Sequence, residues 1–260
     1  MKTNYKHTYV ICAYKESPYL EACIRSLVNQ TVQSNIILYT STPNQYIKSL
    51  TNRYNIDMYS KKGGSIGKDW NNALSFVNTP YVTIAHQDDI YNENYTEQIM
   101  SHFEKYPDSL IAYSDYAELT AIGYRVNTMN LKIKRLMLHT MQLFPKWHFW
   151  RKLILGLGNP ISCPAVSYQL SNLSDFKFDE KMRVSLDWFA WYQINQYKGR
   201  FIYIPTVLML HRIHEDSETT NTINDHTRSK EDLFMYELFW PKFIARLLMK
   251  FYQKSQNSNG

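Results

Sequence analysis

Two adjacent carboxylates, Asp88 and Asp89, follow the apolar run Tyr81-Val82-Thr83-Ile84-Ala85 after only His86 and Gln87. Like charges side by side at the end of a buried strand are costly unless a cation or hydrogen-bond donors compensate them. A hard divalent cation such as Mg²⁺ is held by one or two carboxylates together with substrate phosphates, so the pair is a candidate metal site. The alternative is that both residues cap the helix that follows, a use to which Asp is well suited. Other polar groups also stand just beyond apolar runs: Ala13-Tyr14-Lys15-Glu16, Thr40-Ser41, and the loop from Lys61 to Lys68. Tyr14 and Glu16 could stack on a base and bond a ribose, or Tyr14 could simply pack. Loop lysines such as Lys61, Lys62 and Lys68 could meet phosphates or stay solvated.

The elements that must position these groups alternate between strand and helix. Tyr9–Ala13 reads as a buried strand, and Ser17-Pro18 as a helix start with the hydroxyl capping and proline at the first helical position. Leu20, Ile24, Leu27 and Val28 give that helix one apolar face. A second strand covers Ile36–Tyr39, a helix follows Thr42-Pro43, and a weaker strand covers Ile56–Tyr59. Gly63-Gly64-Ser65 leads into a helix carrying Trp70, Ala73, Leu74 and Val77, where Asp69 is read as a cap. Strands follow at Tyr81–Ala85 and Leu110–Tyr113. This alternation predicts right-handed crossovers and a mainly parallel, Rossmann-like α/β sheet flanked by helices. In such sheets ligands bind beyond the carboxyl ends of the strands, where the candidate residues lie.

The chain has 260 residues, 44% of them hydrophobic and 20% charged, which excludes a mainly disordered protein. No apolar stretch approaches the roughly 20 residues of a membrane span, and Met1–His7 has no apolar core of a signal peptide. Cys12, Cys23 and Cys163 lack metal spacing and predict a reduced, cytoplasmic setting with small buried thiols. The net charge of +6 is concentrated: Leu119–Ser174 holds seven Lys and Arg and no Asp or Glu. Aromatic and aliphatic residues are mixed through this helical, basic insert. In the C-terminal helices, Lys242, Arg246, Lys250 and Lys254 recur every fourth residue. Either an anionic membrane at the inner face of the cell or plain solvent would suit these cations. No nucleic-acid partner is expected.

Several motifs, taken in order, resemble family 2 glycosyltransferases with the GT-A fold. Val10-Ile11-Cys12-Ala13-Tyr14-Lys15-Glu16 is similar to the family's opening strand and Ala-Tyr-Asn-Glu turn beneath the nucleotide base. Gly67-Lys68-Asp69-Trp70-Asn71-Asn72-Ala73 looks like its Gly-x-x-x-x-Asn-x-Gly/Ala helix, and His86-Gln87-Asp88-Asp89 like its Asp-x-Asp metal motif. Ser185-Leu186-Asp187-Trp188 resembles the Glu-Asp-Trp helix start that carries the catalytic base. Leu210–Ser217 resembles the Tyr-Arg-x-His-x-x-Ser element, and Gly158-Asn159-Pro160-Ile161 falls where the acceptor is usually faced. The chain departs from the family in four places. Tyr39-Thr40-Ser41-Thr42 replaces an Asp-Asp-Gly-Ser turn, His86 the first Asp of Asp-x-Asp, Lys15 an Asn, and Leu186 a Glu.

The resemblance implies inverting transfer from a nucleotide-diphosphate sugar to a glycan or lipid-linked acceptor, in the synthesis of a surface polysaccharide. It assigns Asp88 and His214 to Mn²⁺ or Mg²⁺ and Asp187 to the general base. Ala13, Tyr14, Glu16, Thr40, Asp69, Asn71, Gln87, Asp88 and Asp89 line the donor, and His211 is structural. It divides the chain into a transferase domain over 1–220, with halves at about 8–116 and 117–220, and a helical extension over 221–260. A nucleotidyltransferase would need a similar sheet and acidic site but also a glycine-rich basic phosphate loop, which Tyr14–Pro18 is not. A basic module binding membrane or nucleic acid would have no need of Asp88, Asp187 and His214 together.

Overall fold

The computed structural model describes residues 5–214 and 227–257. One curled sheet of nine strands organises the molecule, in the order β3-β2-β1-β4-β8-β6-β9-β5, with β7 paired to β6. β1 (His7–Ala13), β2 (Asn35–Thr40), β3 (Asp57–Ser60) and β4 (Tyr81–His86) run parallel, as the alternation predicted. The rest is mixed. β8 (Val166–Gln169) inserts antiparallel between β4 and β6 (Ser109–Thr120), and β6 pairs parallel with the long β9 (Arg200–Arg212). The short β5 (Ile90–Tyr91) closes the order against β9, and β7 (Gly123–Arg125) folds back on β6.

Both faces of the sheet are covered, which is why its strands read as near-continuous apolar runs. Within β1, Tyr9, Ile11 and Ala13 pack on one side, among α1 (Leu20–Val28), α2 (Gln45–Arg53) and α4 (Tyr95–Lys105). Val10 faces the other side, covered by α3 (Ile66–Leu74), α6 (His148–Leu155) and α7 (Leu186–Ile194). α8 (Thr227–Phe239) and α9 (Lys242–Asn257) extend that second layer through Met235, Tyr236 and Ala245. α5 (Met129–Gln142) spans both layers, with Leu131 in one and Leu138 and Met141 in the other.

Two local expectations shift. Ser17 caps a turn, accepting from the Tyr19 amide, and the helix proper begins at Leu20. Asp69 is no cap: Ser65 caps α3 by accepting from Lys68 N at 3.2 Å. Asp69 instead accepts from Ser41 Oγ at 2.7 Å and Tyr39 Oη at 3.2 Å, tying α3 to the end of β2. Gly67 lets α3 meet the 178–180 loop, since a Cβ there would lie 2.0 Å from the Asp179 carbonyl oxygen. The cysteines are free, with Cys23 and Cys163 buried.

Candidate active site

Strand register places the candidate residues along one edge. Ala13 stands opposite Thr40, Thr40 opposite Ser60, and Cys12 opposite His86, so three parallel strands and β4 end nearly level. Beyond Ala13 the chain turns sharply at Lys15, whose φ of 54° is left-handed. For a non-glycine residue that conformation costs roughly 1–2 kcal/mol. The Lys15 amide donating to Thr42 Oγ1 and a reciprocal pair between Gln87 and the Tyr14 backbone hold the turn. Gln87 thus fixes the Tyr14 backbone from across the edge, while Tyr14 stays 54% exposed with the Lys15 ammonium 5.2 Å from its ring centre. Thr40 is buried and accepts from the Thr42 amide. Glu16 is exposed beside it. Asn71 binds the Phe178 backbone through both ends of its amide and also reaches Glu180, so it anchors the 178–180 loop.

The acidic pair does not cap a helix, because β5 intervenes before α4. Instead β9 delivers basic groups to it. The Asp89 carboxylate is fully buried and accepts from His211 Nδ1 at 3.0 Å and the Arg212 amide at 2.9 Å. Burial pushes the Asp89 carboxyl up, but His211, His86 and the Arg212 amide outweigh it and hold it below the ordinary value. Burial pulls His211 down, yet Asp89 and Asp88 raise it overall. His211 thus has the buried Asp89 as its partner. Asp88 Oδ2 lies 3.0 Å from His214 Nε2, the two residues the sequence paired as ligands. The Arg212 guanidinium bonds the Asp88 carbonyl and stacks on Tyr19, 4.2 Å from its ring centre. The Glu215–Ser217 end of that motif lies outside the described residues.

His86, Asp88 and Asp89 each offer a ligand atom, all within 4.8 Å of one another. His86 stacks on Trp70 at 5.4 Å, and its Nε2 is buried with no hydrogen-bond partner; its Nδ1 lies 3.9 Å from Asp89 Oδ2, too far for a hydrogen bond. Unpaired buried polar atoms are rare, because each forfeits its solvation. His86 Nε2 is one such atom, and it belongs to the His86–Asp88–Asp89 group. The donor set fits a divalent cation, and imidazole among carboxylates favours a transition metal such as Mn²⁺ over Mg²⁺. Sequence reasoning saw His86 as a lost ligand; its buried, unpartnered nitrogen could emerge only from the fold.

Asp187 sits in the first turn of α7. Asn159 Nδ2 donates to its Oδ2 at 2.8 Å, and the Trp188 amide to its Oδ1 at 2.7 Å. Burial raises the Asp187 carboxyl above the ordinary value, against the opposing pull of those donors, Lys134 and His86. Asn159 was legible only as part of an acceptor-side segment, and its hold on Asp187 appears only in three dimensions. The two acidic sites share electrostatic neighbours. His86 acts electrostatically on both Asp187 and Asp89, Lys134 on both Asp187 and His211, and buried Cys163 feels both Asp187 and Asp89. Trp188 and Trp191 are core residues, fully buried.

No curated protein matches the chain in sequence. Among solved structures, residues 1–349 of S. aureus TarS in complex with UDP-GlcNAc are similar at a TM-score of 0.67 and 13% identity, over 94% of this chain and 70% of that one. The mannosyltransferase PcManGT from Pyrobaculum calidifontis, in complex with GDP-Man and Mn²⁺, gives 0.66 and 11% over the same shares. At these identities the likeness establishes the fold, which is of the GT-A type. The glycosyl transferase family 2 model matches residues 8–157, which takes in the strand ends and the Asp88–Asp89 pair and stops short of Asn159, Asp187 and the β9 residues, and the chain therefore belongs to glycosyl transferase family 2.

Proposed function

We propose that the protein transfers a sugar from a nucleoside-diphosphate donor to an acceptor hydroxyl with inversion, aided by a divalent cation. The observation that carries this reading is the pair of acidic groups held ready by their partners: Asp88 and Asp89 on His214 and His211 beside His86, and Asp187 on Asn159 at 2.8 Å. Asp88 and His214, with His86 and Asp89 beside them, would hold Mn²⁺ or Mg²⁺. When bound, the cation neutralises charge on the donor diphosphate as a Lewis acid. Tyr14, fixed by Gln87, takes the face of the base. Ala13, Glu16, Thr40 and Asp69 form the nucleotide side, and Asn71 shapes it through the 178–180 loop.

Asp187 accepts the proton of the acceptor hydroxyl as that oxygen bonds to C1 of the sugar. The C1–O bond to the diphosphate breaks on the opposite face, and the nucleotide leaves with the electron pair. Burial suits Asp187 to this, since a carboxylate with a raised pKa is a stronger base than a solvated one. Asn159 positions it by occupying one lone pair of Oδ2. The acceptor class we infer is a glycan or lipid-linked sugar of a surface polysaccharide. UDP-, GDP-, CDP- and dTDP-sugars are to be tested for Mn²⁺-dependent thermal stabilisation; a donor at a hundred times its Kd adds about 2.7 kcal/mol. Stabilisation by none of them sinks the proposal.

A further inference from the structure

We propose that the outward faces of α5, the α5–α6 turn and α9 seat this protein on an anionic lipid bilayer. A surface helix of a soluble protein turns its apolar stripe inward and its polar residues to water. These two helices do the reverse on the side away from the core. In α5, Leu131, Leu138 and Met141 are buried. The positions diametrically opposite, at about 100° per residue, are Met129, Ile133, Leu136 and Thr140. Leu136 is 69% exposed, with Met129 and Ile133 also exposed. In α9, Ala245 and Met249 are buried, and opposite them stand Phe243, 74% exposed, and Leu247.

The segment between α5 and α6 continues the pattern. Phe144, Trp147 and, at the start of α6, Phe149 are exposed, with Trp147 meeting Phe144 in a T-shaped contact at 5.7 Å and Phe149 in a tilted one at 6.1 Å. Beyond α6, Trp240 Nε1 donates to the Gly156 carbonyl at 2.7 Å, fastening the start of α9 to the end of α6. The tip of the β6–β7 hairpin, immediately before α5, presents Ile122 at 90% exposure. Apolar outward faces flanked by cations are the composition of an interfacial helix, and no helix of the described residues is long and apolar enough to cross a membrane.

Charge selects the partner. Four of the seven basic residues of the 119–174 segment serve the protein itself. Arg151 is buried against Asn195, Arg135 pairs with Asp115, Lys146 with Asp108, and Lys134 bonds Tyr116. Lys132 is exposed beside the apolar stripe of α5, Arg125 is exposed on β7, and Lys242, Arg246 and Lys250 form a row next to Phe243 and Leu247 on α9. A second copy of the chain is a poor occupant. A two-fold interface would press each basic patch against itself, with no acidic residue between 119 and 174 to answer it. An anionic headgroup layer satisfies the cations, while the acyl boundary takes the aromatic and aliphatic side chains.

The opposite face of α5 carries Lys134 and Arg135 toward Tyr116 and Asp115. The outward and inward faces of α5 are thus separated by about one helix diameter, roughly 10 Å. Acceptor delivery along that helix rests on the transfer reading above. Docking itself does not, and vesicle binding is measured without turnover. The full chain is to be sedimented with vesicles of phosphatidylglycerol and phosphatidylcholine, and with phosphatidylcholine alone, at low and high salt. Binding is expected to the anionic vesicles only and to fall several-fold as salt screens the headgroups. The variant Lys132→Glu should bind at least fivefold more weakly, because a basic residue near an anionic surface contributes about 1 kcal/mol and the substitution also introduces repulsion. Leu136→Asp with Phe243→Asp should lose at least tenfold at an unchanged melting temperature. Absence of binding to either vesicle, or binding untouched by the double apolar variant, overturns the proposal. So does concentration-dependent dimerisation that the double variant abolishes.

Discussion

Replacing Asp187 by Asn tests the chemistry most directly, because the structure separates its effect on rate from its effect on folding. Asn keeps the shape of the side chain and one acceptor oxygen. The lost acceptor matters little, since Asn159 Oδ1 is buried without a partner. A flip of the Asn159 amide turns that oxygen toward the new NH₂ group and restores the contact that Asn159 Nδ2 now makes at 2.8 Å. Loss of a general base costs about 10²- to 10⁴-fold in rate, equivalent to about 2.7–5.4 kcal/mol of barrier. Stability should move the other way. Burial places the folded Asp187 pKa above its ordinary 3.8. Below 3.8 the carboxyl is protonated in both states; as pH rises through the folded pKa, folding must desolvate a charge and stability falls. Asn carries no such penalty, so relative to wild type the variant should gain stability between acid and neutral pH in urea titrations. Donor affinity measured by calorimetry should hold while nucleotide release in the presence of acceptor collapses. Turnover within tenfold of wild type, or donor affinity falling as far as the rate, would refute the assignment.

Four further outcomes are expected. The pH–rate profile of the wild-type enzyme should have an acid limb set by Asp187, above the ordinary carboxylate value, and Asp187→Asn should abolish that limb. Asp88→Ala should remove Mn²⁺-dependent stabilisation by donor in a thermal-shift assay while leaving the metal-free melting temperature within a few degrees. Asp89→Ala should be far more damaging, because it strips a buried partner from His211 and the Arg212 amide; loss of one member of a buried pair costs about 3–5 kcal/mol, readable by urea denaturation. Gly67→Ala must push α3 from the Asp179 carbonyl; such overpacking costs about 1–3 kcal/mol, and donor affinity should fall with it as the 178–180 loop shifts.

Periodicity and punctuation made much of the architecture readable in advance. β1 alternates Tyr9, Ile11 and Ala13 against Val10 between two packed layers, so its burial on both faces is written in one short run. The candidate edge followed from the rule that ligands sit beyond parallel strand ends. The register brings Ala13, Thr40 and His86 to one end of the sheet. Local sequence could also mark Asp88, Asp89 and Asp187 as unusual, since paired or helix-leading carboxylates beside apolar runs need compensation.

What compensates Asp88 and Asp89 was decided by contacts more than a hundred positions apart, and Asp187 meets Asn159 from 28 positions away. His211 and Arg212 reach Asp89 because β9 pairs with both β5 and β6. The antiparallel insertion of β8 between β4 and β6 depends on the relative stability of whole-strand pairings, which no short window encodes. The same holds for Asp69. Its position four residues after Ser65 reads as helix capping, but the close approach of Tyr39 and Ser41 claims its carboxylate. Sequence thus determined which segments bury apolar surface and which residue types are costly there. Tertiary structure alone decided which partner, at which distance, meets each cost, because burial and hydrogen bonding act between neighbours in space and only incidentally between neighbours in the chain.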